Sequence, residues 1–116
     1  MDDPTALPDI VRRLVDTALG ADGDSSPALR RAVADRSAAF TGAPRDPGDI
    51  PDELTTLVDK VARNAYKVVD EDYDRLRDAG YSEDALYEFT VAAAVGASLG
   101  QFERGLEAMK RARARR

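Results

Sequence analysis

From Asp52 onward, Leu54, Leu57, Val58, Val61, Ala62, Ala65 and Val68 recur at steps of three and four residues, with Asp59, Lys60, Arg63, Asn64 and Lys67 between them. Such spacing gathers into one apolar stripe only if the backbone winds at the α-helical period, so the segment reads as an amphipathic helix. No stretch of the chain alternates apolar and polar residues at the period of two that a half-buried strand needs. The sequence therefore predicts an all-α fold, a single-domain helical bundle of five to six helices.

Turn residues divide that bundle. A first stripe, Ile10, Val11, Leu14, Val15 and Ala18, falls in a helix over Pro8 to Leu19 that stops at Gly20-Ala21-Asp22-Gly23-Asp24. Ser26 followed by Pro27 is an N-cap and first-turn pair for a second helix, with Leu29, Ala32, Val33, Arg36 and Phe40 inward and Gly42 closing it. Gly42 to Pro51 holds three prolines and two glycines and reads as a loop. Asp70 is expected to cap a short fourth helix that ends at Gly80, and Ser82 to cap a fifth. The stripe of the fifth runs through Leu86, Phe89, Ala92 or Ala93, Gly96, Leu99, Leu106 and Met109. Gly96 and Gly100 each cost about 1 kcal/mol of helix propensity. Either their bare face meets another helix, of this chain or of a neighbouring subunit, or the helix breaks near Gly100 and a sixth begins.

Composition excludes several kinds of chemistry. The chain has no Cys, His or Trp, so thiol peroxidase chemistry, thiolate or imidazole metal sites and a Ser-His-Asp triad are ruled out. No cofactor is expected. Acid/base work near neutral pH would fall to carboxylates, Lys or Tyr with shifted pKa values. No apolar run approaches the roughly 18–20 residues that span a bilayer, and Met1-Asp2-Asp3-Pro4 is acidic where a secretory leader is basic. A cytoplasmic protein without membrane contact is the expectation. Residues 110–116 hold five positive charges and no negative one, whereas residues 1–109 carry 12 basic against 22 acidic side chains. The basic end complements a helix dipole. A body this acidic repels phosphate backbones, so nucleic acid is not the expected partner.

The stretch from Val61 to Phe89, with its Leu76-Arg77-Asp78-Ala79-Gly80-Tyr81-Ser82-Glu83-Asp84 turn and the Ala-rich run to Gly100 that follows, resembles the carboxymuconolactone decarboxylase / alkylhydroperoxidase-D superfamily over about residues 52 to 110. The resemblance implies an alkylhydroperoxidase-D-like fold and a homo-oligomer, trimer or hexamer. Redox members carry Cys-x-x-Cys-x-x-x-His before that glycine, and Ala65, Val68 and Asp72 stand at those three positions here. The family's proton-relay glutamate falls near Glu53, and Glu88 matches the early acid of its long helix.

The remaining reactive side chains cluster near the substituted motif. Tyr66 and Asp70 are four apart, Tyr73 lies three beyond Asp70 and Arg63 three before Tyr66, a spacing that lines one side of a pocket between the third and fourth helices. Glu71 or Asp72, if turned inward among apolar neighbours, would have a raised pKa and serve as general acid or base beside a Tyr hydroxyl; turned outward, Asp70-Glu71-Asp72 is a solvated cap. Arg63, Tyr87 and Glu88 are the expected substrate contacts. The leading expectation is a non-redox, cofactor-independent enzyme on a small organic substrate, of decarboxylase, lyase, isomerase or biosynthetic cyclase type. The alternative is a non-catalytic oligomeric binding or scaffold protein.

Overall fold

The computed structural model describes residues 8–43 and 46–115. Five α-helices account for most of them: α1 (Asp9–Gly20), α2 (Pro27–Phe40), α3 (Asp52–Asn64), α4 (Asp70–Asp78) and α5 (Glu83–Ala114). A 3-10 turn, Ala65–Lys67, follows α3. There is no strand among the described residues.

The long α5 is the spine on which the other helices pack, α2 and α3 most extensively. Val33, Leu54, Leu57, Val58, Leu76, Leu86 and Phe89 fill the interior between these helices, each at most 2% exposed. Burying a Leu or Phe of this kind contributes roughly 1.5–3 kcal/mol. The backbones of α2 and α5 approach each other closely. A Cβ on Gly96 would overlap the Ala34 carbonyl, and one on Gly100 would overlap Thr41 and Ala38. The glycine face thus meets α2 of the same chain, and α5 runs unbroken through Gly100.

Several ends form where the sequence marks them. Ser26 Oγ accepts from the Leu29 N–H at 3.1 Å and Ser82 Oγ from the Ala85 N–H at 3.0 Å, satisfying donors that a helix start leaves without partners. Gly42 and Gly80 take φ of +104° and +107°, the left-handed turn that lets the chain leave a helix.

Four expectations are corrected. α3 ends at Asn64, not near Val68, because Asn64 adopts φ −147° and ψ 65°; Ala65 is consequently exposed. Asp70 is the first residue of α4 and does not cap it. Val69 holds the cap position, and its N–H donates to Asp72 Oδ2 at 2.9 Å. The buried face of α2 is rotated from the expected one: Arg30, Val33, Ala34, Ser37 and Ala38 are inside, while Leu29, Ala32, Arg36 and Phe40 are half-buried. Gly96 and Gly100 set this rotation by admitting the backbone at Ala34 and Ala38. On α1, Ile10 and Leu14 face outward at 69% and 66% exposure, since Leu19 and half-buried Val11, Val15 and Ala18 provide its inner side.

Candidate functional site

The junction of α3 and α4 is where the sequence places its reactive cluster, and the break at Asn64 decides what becomes of it. Residues three and four apart share a face only while one helix continues through them. Arg63 lies on α3, Tyr66 on the 3-10 turn, and Asp70 and Tyr73 on α4, so the expected common wall does not form. Tyr66 is 81% exposed, with Lys67 Nζ 6.0 Å from its ring centroid. The Arg63 guanidinium stacks 4.3 Å above Phe40, and Arg36 lies 4.9 Å from the same ring. Asp70 and Glu71 are exposed.

Asp72 alone turns inward, at 5% exposure. Lys60 Nζ donates to both of its carboxylate oxygens at 2.9 Å, and the Val69 N–H donates to Oδ2. Burial pushes this carboxyl up, but the Val69 N–H and the Lys60 ammonium together outweigh it, and Asp72 is held below its ordinary value of 3.8. The expected rise in pKa does not occur, because the side chain is inward but not among apolar neighbours only. Its geometry is that of a tie between α3 and the start of α4.

Glu88 is occupied in the same manner. It accepts from the Asp24 N–H at 3.0 Å, the Ser25 N–H at 2.8 Å and Ser25 Oγ at 2.5 Å, fixing the loop between α1 and α2 onto α5. The Ser25 hydroxyl and N–H are the main causes that hold its carboxyl below 4.5. Arg30, at 3% exposure, braces the same loop from below by donating to the carbonyls of Ala18, Ala21 and Ser25. Neither Arg30 nor Lys60 stands out in the sequence: one lies off the face that the spacing of α2 turns inward, and the other lies twelve residues from its acid.

Glu53 accepts from Tyr81 Oη at 2.7 Å. The Tyr81 hydroxyl is pushed up to about 12, by burial first and by the neighbouring carboxylate second. That pair joins the start of α3 to the turn after α4.

Two of the expected residues do meet. Tyr73 and Tyr87 line an open groove of about 320 Å³ between α4 and α5 with Arg77, Glu83, Leu86 and Thr90. Thr90 Oγ1 donates to the Leu86 carbonyl at 2.9 Å, so Tyr73 Oη is the donor in its 3.2 Å bond to Thr90. Arg77 is tied to Asp74 at 2.5 Å and to Glu83 at 3.1 Å, and Tyr87 is 71% exposed. The groove presents two phenols, a threonine hydroxyl and a charge-compensated arginine, a surface able to hold a planar or hydroxylated molecule. Arg77, Glu83 and Thr90 escape a sequence reading because they share the groove only once α4 is folded back on α5.

Compared with known proteins, the chain matches no family model, no curated protein and no solved structure.

Proposed function

We propose that this chain is a non-catalytic binding or scaffold protein that acts as a homo-oligomer in the cytoplasm. The observation that carries the reading is Asp72: the one inward carboxylate of the expected catalytic cluster is consumed by Lys60 and the Val69 N–H. Glu88 is likewise committed to the Asp24–Ser25 loop. A general base must be able to give up and take a proton near the working pH, and two carboxylates held below their ordinary values are poorly matched to that task. The test is a panel of small carboxylic and enolisable compounds incubated with the purified protein and followed by mass spectrometry. The reading expects none to be consumed. Turnover of any of them that is abolished by Glu83→Gln with the fold intact would defeat it.

A second reading, the cofactor-independent enzyme, is favoured by the groove that gathers Tyr73, Tyr87, Thr90 and Glu83 and by the resemblance of Val61 to Gly100 to the carboxymuconolactone decarboxylase superfamily. In it Glu83 replaces Asp72 as the acid/base group and a tyrosine hydroxyl stabilises the developing oxyanion. Turnover lost in both Glu83→Gln and Tyr87→Phe would establish it. The trimer or hexamer implied by that resemblance belongs to either reading.

A further inference from the structure

From Val95 to Met109, α5 carries an apolar stripe that leaves the core as it goes. Val95, Phe102 and Met109 stand seven residues apart, and Leu99 and Leu106 repeat at the same interval, the spacing that keeps a seam turned toward a partner helix. Beside the first half of this stripe lies α1, leaving an apolar groove of about 290 Å³ lined by Val11, Val15, Ala94, Val95, Ser98 and Leu99. Beyond Arg104, whose aliphatic carbons reach Gly42, the helix outruns its neighbours. At about 1.5 Å per residue its 32 residues span about 48 Å, against about 21 Å for the 14 of α2. Phe102, just before this arm, is 41% exposed and Met109, on it, 56%, and nothing lies within 4 Å of where a Cβ on Gly105 would sit.

Charge is polarised along the same axis. In the sequence, residues 110–116 hold five cations, while residues 1–109 carry a net charge of −10 from 12 basic and 22 acidic side chains. Two arms lying parallel would bring two cationic tips together. Lying antiparallel, each tip runs along the acidic body of the other molecule, and Met109, just before the tip, arrives at the groove between α1 and α5.

We infer that the outer stripe of α5 is a self-docking surface: a second copy of this chain lays its α5 arm antiparallel along the first, its Met109 end entering the α1–α5 groove. The contact is isologous, since each copy gives an arm and receives one. The inference rests on the oligomeric reading above and names its surface. Because it introduces a two-fold axis, it fits a dimer or a hexamer and not a lone trimer.

Light scattering on the full chain at tens of micromolar is expected to give a mass of at least two 12.6 kDa copies. The Phe102→Glu, Met109→Glu double variant is expected to raise the dissociation constant at least about tenfold, with unchanged helical circular dichroism because neither residue belongs to the buried core. The chain has no native cysteine, so Ser98→Cys and Met109→Cys proteins mixed in equal amounts report orientation. Mixed 98–109 disulfides should form faster than 109–109 ones. A monomeric full chain, an assembly unmoved by the double variant, or preferential 109–109 linkage would each overturn the inference. Substrate turnover by a protein that still pairs would defeat the non-catalytic reading and leave the docking surface standing.

Discussion

Between Glu83 and Gly100, one side of α5 packs against α2 and α3, with Phe89 and Ala93 at 1% and 0% exposure; from Gln101 to Ala114 the same helix has no buried residue. Glycine shows the difference most sharply. At Gly96 its missing side chain is what allows the α2 backbone to approach, whereas at Gly105 open space surrounds the position. One helix therefore answers to two demands: close packing in its first half, and solvent or a partner in its second. Sequence periodicity runs through both halves alike, so exposure and not pattern tells a core stripe from an unpartnered one.

The contrast breaks most visibly at its tightest point. Gly96→Val should force α2 and α5 apart and cost about 3 kcal/mol, read as a lower midpoint in denaturant unfolding. Next is the tie at the α3–α4 junction. Asp72→Asn leaves the Lys60 ammonium without its acid and should cost about 2 kcal/mol, since Lys60 itself is partly solvated. Smaller again, Glu88→Gln keeps an acceptor but loses the charge, so about 1 kcal/mol is expected, together with faster amide exchange at Asp24 and Ser25.

Acid unfolding sharpens the same two sites. Both carboxyls sit below their ordinary values of 3.8 and 4.5, so their contribution is complete above those values and is lost as the pH falls through the depressed folded ones. The wild type should destabilise steadily below about pH 4.5, and each of the two variants should show a shallower slope there. The smallest effect has the opposite sign. Gly105→Ala, measured at a concentration where arms are unpaired, should gain about 0.5–1 kcal/mol of helix stability.

Much of this architecture is legible in the chain. Ser26-Pro27, Gly80 and Ser82 mark helix ends by local chemistry alone, and the structure places them accordingly. The end of α3 is not legible, because Ala65 and Val68 continue the apolar spacing and neither Gly nor Pro stands at Asn64 to announce the turn. The rotation of α2 is hidden for a different reason. It depends on Gly96 and Gly100, some sixty residues later, admitting the backbone of Ala34 and Ala38. At the candidate site, the sequence offers Glu71 and Asp72 as alternatives, and only the structure shows that Asp72 is the one turned inward. Its role depends on Lys60, which the spacing assigns to the solvent side of α3 and whose flexible stem lets the ammonium meet Asp72 of α4.

The protonation of Asp72 tests its role as a tie between α3 and α4 most directly. Carbon-detected NMR of its carboxyl group across an acid titration should give a midpoint below 3.8, moving upward in a Lys60→Met protein. A midpoint in the wild type well above 3.8, toward neutrality, would contradict the structural role given to this residue and return it to the chemistry of an acid or base.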